Sequence, residues 1–276
     1  MSPLSKAASS DPAAWIVEGL HGFAHDVGSL VPAVFEAYAR VFHPAGTGYP
    51  EDRPVRWSEV AASTGRTFHG AAQWSHVAFT SEVKDENDLQ NPPAGAPWAS
   101  RPEEGSLDRP VAERLIDRLR PHTSTPESCW FAFWDGWGVP FPLTSSTRSL
   151  FGRRKAVEPP EEPGLKELRE RWDAPSFSID GRDLLLFSGT LDDATEGFYE
   201  PMNMPHFQSA YFWWPDDHAW LITTEIDFDT TYVGGSRACI DAVVGDDLLE
   251  ALEVRIDQGV SSDPDSINPN PMRQNG

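Results

Sequence analysis

Cysteine, positive charge and long apolar runs are all scarce in this chain, and each scarcity excludes something. Only two cysteines, Cys129 and Cys239, occur in 276 residues. They are too few for the disulfide framework of a small secreted domain, and no Cys-x-x-Cys spacing offers a zinc site. Both read as buried thiols, which behave as small hydrophobes. No stretch approaches the roughly 18 consecutive apolar residues that a membrane helix needs. The N-terminal apolar core, AAWIV, is five residues long before Glu18, below the about 7–15 residues of a secretory signal. A cytoplasmic protein is expected. Lys and Arg number 22 against 43 Asp and Glu, a net charge of −21 at pH 7. Phosphate backbones and anionic lipids reward the opposite sign, so neither nucleic acid nor a membrane surface is an expected partner. A Gly-x-Ser-x-Gly elbow, a Walker loop and a dinucleotide fingerprint are missing, and no cofactor is expected.

What is present is globular material, with 39% hydrophobic and 24% charged residues, enough to build a core without staples. The charge is unevenly placed. Residues 1–100 carry −5 and 101–175 carry −1, whereas 176–276 hold 4 basic against 19 acidic residues, a net −15. The one basic island, Arg148, Arg153, Arg154 and Lys155 in RSLFGRRK, lacks interleaved aromatics and reads as a solvated loop.

Along the chain, residues 11–20 suggest a short helix capped by Asp11. Residues 34–42 fit helix or strand, and the flanking prolines favour a strand. A short helix capped by Ser58 is expected over 56–63. The clearest helix is 108–120, DRPVAERLIDRLR, with Asp108 as cap and Val111, Leu115, Ile116 and Leu119 as its apolar stripe. CWFAFW, 129–134, reads as a strand closed by Asp135-Gly136, and a helix fits 164–172. A buried strand over 183–188 is followed by a helical turn, 190–197. Residues 210–214 and 220–228 form a hairpin across Pro215-Asp216-Asp217-His218. Gly234-Gly235-Ser236 opens a helix to Val244, and 246–252 suggests another. Segments 81–107 and 140–182 read as surface loops and 261–276 as a flexible tail. The expected fold is α+β: a single domain over 11–260 with a mostly antiparallel central sheet. Helices near 108–120 and 235–244 should cover one face, with long polar loops outside.

The segments FAHDVGSLVPAVFEAYARVFHPA, PEEGSLDRPVAERLIDRLRPHT, CWFAFWDGWG, LLLFSGTLDDATEGF and WWPDDHAWLITTEIDFDTTYVGGS resemble a group of uncharacterised proteins from high-GC Gram-positive bacteria. The resemblance covers most of residues 20–256. It implies a cytoplasmic globular protein and brings no activity, cofactor or catalytic residue with it.

Chemistry could reside in the run WLITTEIDFD. If it is one strand, Trp220, Ile222, Ile226 and Phe228 share one face and Thr223, Glu225, Asp227 and Asp229 the other. Same-face carboxylates then stand roughly 6–7 Å apart. That suits an acid/base pair, Glu225 with Asp227, or oxygen ligands for a hard cation from Glu225, Asp227 and Asp229; an antiparallel strand's wet face has the same pattern. Trp213, Trp214 and Trp220 could supply flat surfaces for a ligand or simply fill a core. Gly234-Gly235-Ser236-Arg237 could hold an anion at a helix start, and Glu18, His21 and His25 fall at helical spacing for a metal. With no catalytic motif and a strong negative charge, the leading expectation is a non-enzymatic, immunity-like module that covers a basic protein partner. A hydrolase acting on a carbohydrate-like substrate and a small-ligand-binding protein are the alternatives.

Overall fold

The computed structural model describes residues 4–22, 25–83, 88–137, 163–198, 208–260 and 264–272. Its strands are β1 (Ser5–Lys6), β2 (Ala37–Phe42), β3 (Ala45–Gly46), β4 (Pro54–Val55), β5 (Cys129–Trp134), β6 (Ser176–Ile179), β7 (Arg182–Gly189), β8 (Phe212–Pro215), β9 (Trp220–Thr224), β10 (Thr230–Gly235) and β11 (Ala251–Val254). The helices are α1 (Ala14–Gly19), α2 (Trp57–Thr64), α3 (Trp74–Ala78), α4 (Arg109–Leu119), α5 (Pro163–Arg171) and α6 (Arg237–Val244). Among the described residues no helix is long and apolar enough to cross a membrane.

Nine strands form one antiparallel sheet in the order β1-β7-β5-β8-β9-β10-β2-β11, with β6 also on the outer edge of β7. β3 and β4 make a separate hairpin. Alternation along the strands sends side chains to two covered faces. On one face Phe131, Phe133, Phe187, Trp213, Trp220 and Ile222 meet Leu115 and Leu119 of α4 and Ile240 and Val243 of α6, so these two helices cover one face as expected. On the other, Tyr38, Leu184, Leu186, Phe212, Trp214 and Leu221 meet Ile16 of α1 with Val27 and Val31. A third cluster gathers Trp57, Val60, Trp74, Val77 and Trp98 beyond the end of β2, around Phe42. Of the ambiguous 34–42 run, residues 37–42 form a strand while 34–36 lie in the turn before it; all six residues of β2 are buried, and an apolar run can then occupy both sides.

Several expectations change. The strand expected over 220–228 stops at Thr224, and 225–229 turn the chain into β10, which pairs with both β9 and β2. Thr223 and Glu225 are consequently buried and Ile226 and Phe228 only half-buried. Residues 246–252 give a turn and then β11, which pairs with β2 instead of forming a helix. Within 81–107, Trp98 and Leu107 are core residues, so the segment is more than a surface loop. Of 140–182, residues 163–182 supply α5 and β6; the remainder, including the basic island, lies outside the described residues. The C-terminal stretch 264–272 is anchored rather than loose. The Asp265 carboxylate accepts from Ile267 N (3.0 Å), Asn268 N (2.8 Å) and Asn268 Nδ2 (2.9 Å), and contacts His69 Nε2 at 2.9 Å.

Three helix caps also differ from expectation. Asp11 lies inside the 3₁₀ turn that leads into α1, with Ser10 at the N-cap position and no side-chain cap bond. Asp108 occupies the N-cap position of α4 without a side-chain cap bond. The start of α2 is capped by neither Arg56 nor Ser58. Instead Glu250, just ahead of β11, accepts from Trp57 N (2.6 Å) and Ser58 N (2.8 Å). A carboxylate at a helix N-terminus satisfies free N–H groups and opposes the dipole.

Candidate functional site

Glu225 and Asp227 are brought together at the β9–β10 turn. Asp227 N donates to Glu225 Oε2 (2.6 Å), which folds the turn tightly over its own carboxylate. Gly105 seals the turn from outside: its N–H donates to Phe228 O (2.9 Å), its φ is +74°, and a Cβ there would stand 2.4 Å from Ile226 O. Only glycine fits such a left-handed close approach. Across the turn lies Arg182, the first residue of β7. Its Nη2 stands 2.7 Å from Glu225 Oε1 and 2.6 Å from Asp227 Oδ2. Burial raises the Glu225 pKa, and the Asp227 N–H and the guanidinium oppose that rise. Tyr211 lies beside them, buried next to the Glu225 charge, and its phenol is held above its ordinary range.

This cluster borders a cavity of about 50 Å³ that also touches Ser29, Leu30 and Val260. A water molecule occupies about 30 Å³ in the liquid, whereas small-molecule sites measure roughly 300–1,000 Å³. Glu225 is therefore tied into a salt bridge over a void far smaller than a sugar cleft, with Asp227, 72% exposed, on its solvent side. Arg182 carries no sequence motif. The available signal was its rarity, as one of only 4 basic residues in the last hundred: a lone cation in acidic surroundings is drawn to a buried carboxylate.

Asp229 does not join the pair. It is half-buried near Arg40, its pKa pushed up to about 6 chiefly by burial, and its carbonyl accepts from His43 N (3.1 Å). No cluster of three His, Cys, Asp or Glu side chains suited to a metal occurs among the described residues. α1 ends at Gly19, so Glu18, His21 and His25 do not share a helix face; His21 Nε2 contacts Asp26 at 2.8 Å. His43 is fully buried and held neutral, with its pKa lowered to about 4 mainly by burial. Its Nδ1 meets Glu103 O (2.7 Å) and its Nε2 meets Thr231 Oγ1 (2.9 Å). A carbonyl only accepts, so Nδ1 carries the proton and Nε2 accepts from the hydroxyl.

The tryptophans proposed as ligand platforms are core residues: Trp213, Trp214 and Trp220 are at most 2% exposed. Trp213 and Trp220 meet edge-on at 5.6 Å on the α4–α6 face, while Trp214 sits on the opposite face against Trp15. The anion expected at the start of α6 is one of the chain's own: Glu36 Oε2 accepts from Arg237 N (2.8 Å). The Arg237 side chain turns to Glu253 (2.8 Å) and Asp241 (3.8 Å). Cys129 and Cys239 are free, buried thiols whose pKa is pushed up to about 12 by burial.

A larger concavity of about 900 Å³ lies between the first half of α4, the β3–β4 hairpin, residues 100–103 and residues 248–250. Asp52, Glu103, Asp108, Glu113, Asp117 and Glu250 line it, with Arg56, Arg101 and Arg114. Comparison with family models, with curated proteins and with solved structures finds no match for the chain.

Proposed function

We propose that this chain is a cytoplasmic, non-enzymatic module that binds a basic protein and covers part of its surface. The observation that carries this reading is the way the acidic half spends its cations. The described basic residues of 176–276 are Arg182, Arg237 and Arg255, and all three are already ion-paired, with Glu225 and Asp227, with Glu253, and with Asp257. Asp180, Asp183, Asp216 and Asp247 stay exposed and form no ion pair among the described residues. Surface carboxylates without internal counter-charges repel one another and accelerate encounter with a positive surface. The candidates for chemistry, in contrast, are consumed by the fold: an arginine holds Glu225 and Asp227, and the tryptophans are in the core.

The test is affinity capture from native lysate at low salt, with Glu225→Gln and Asp227→Asn run in parallel. A basic protein in 1:1 stoichiometry, retained by both variants, is expected. No stoichiometric partner, or a hydrolytic activity that both substitutions abolish without unfolding, would overturn the reading.

A further inference from the structure

The groove beside α4 has a build that the surface as a whole lacks. Its floor is apolar: Phe42, Ala45 and Leu249 are almost fully buried there, and Leu248, 71% exposed, stands in its wall. Its three guanidiniums are already engaged. Arg114 holds Asp246 (2.7 Å) and Asp117 (3.6 Å), Arg101 holds Glu104 (2.7 Å), and Arg56 donates to the Asp247 carbonyl. Asp52, Asp108 and Glu113 form no ion pair among the described residues. Asp108 stands at the head of α4 without a side-chain cap bond, and it lines the groove together with Glu103 and Asp52. Burial and these two like charges raise its pKa. Carboxylates crowded over an apolar floor are matched by long cationic side chains, whose methylene stems lie on the floor while their heads meet the carboxylates.

We propose that this groove is the docking site for an extended, basic segment of the partner protein, one that alternates Arg or Lys with aliphatic residues. The inference rests on the function proposed above. A groove of about 900 Å³ has room for several side chains of an extended segment. A second copy of this chain is disfavoured by its own −21 charge, because like fields repel. Leu248 provides the apolar contact for the segment's aliphatic side chain, and Asp52 and Asp108 provide the pair of acceptors for a guanidinium.

The probe is a fluorescein-labelled Arg–Leu octapeptide, titrated by anisotropy at low salt against the full chain. Asp52→Asn with Asp108→Asn should weaken binding by about tenfold or more, the loss expected for charge-assisted bonds. Leu248→Ser should weaken it by roughly threefold. A charge-matched control, Glu127→Gln with Asp173→Asn, should change it by less than about twofold. Removing like charges should leave the melting temperature of the double variant equal or higher, so lost binding would not reflect unfolding. Equal weakening by the control pair would overturn the groove as the site while leaving the acidic module standing. A basic protein captured from lysate, with no octapeptide binding to the wild type, would do the same. Absence of both would bring down the module reading itself.

Discussion

Arg182 holds two carboxylates with one guanidinium, and removing it should expose how unequal they are. Asp227, already exposed, would stay hydrated, but Glu225 is only 4% exposed and would keep a buried charge with two backbone donors and no cation. We expect Arg182→Gln to cost about 3 kcal/mol by urea denaturation, the lower end for breaking a buried pair since the arginine is partly exposed. Asp227→Asn should cost less than about 1 kcal/mol, as for exposed pairs. Equal effects would place the stability elsewhere. Asp229 behaves in the opposite sense from most carboxylates. Its pKa is raised to about 6 in the fold, so the native state holds a proton that the unfolded state releases near pH 4. Its contribution to stability therefore declines as pH rises from about 4 to 6, and the cost is complete above 6. Asp229→Asn should be more stable than wild type at pH 7 by about 3 kcal/mol, with the gap closing toward pH 4. A gap constant across that range would contradict the assignment. At this scale little was legible. Glu225 and Asp227 were marked by composition, but the residue that decides their role, Arg182, lies 43 positions upstream of Glu225, and only the sheet brings them together.

Among the elements, the best-read ones had local signals. The heptad-like stripe of α4 and the turn-bounded CWFAFW of β5 both appear where the pattern placed them. β10 was missed because TTYVGG contains two glycines that read as a helix entry, and β11 because ALEV is too short to show alternation. Their strand character comes from pairing with β2, a long-range fact. The same reason explains the inverted reading of Thr223 and Glu225. Alternation predicts one wet face, and this sheet has none in its centre, since α1 and residues 27–31 cover the side opposite α4 and α6. The C-terminal strap was misread from composition, because Asp265 anchors an otherwise polar, proline-rich stretch. Its carboxylate accepts backbone and side-chain donors in 264–272 and also contacts His69 at 2.9 Å. These bonds hold its pKa below the usual carboxylate range despite the opposing effect of burial. Asp265→Ala should cost about 2–3 kcal/mol and leave 264–272 open to limited proteolysis while the sheet remains intact. Unchanged cleavage in that segment would show that the strap is held by something else.

For the molecule as a whole, composition was the most informative signal: the class, α+β with a central antiparallel sheet, followed from it together with the few strong segments. Charge sets two whole-molecule expectations. With −15 on residues 176–276 and their described arginines already paired, self-repulsion remains in the compact state. Screening by salt should relieve it as the Debye length falls to about 8–10 Å near 0.1–0.15 M. The melting temperature at pH 7 should therefore rise between low and moderate salt, and a flat profile would show that the charges are spread too widely to matter. The same field should govern association. If unpaired surface carboxylates steer a basic partner, as proposed, the association rate constant of the captured complex must depend on ionic strength. That rate should fall by at least about tenfold between 25 and 500 mM salt while dissociation changes less; an association rate independent of salt would rule out electrostatic steering.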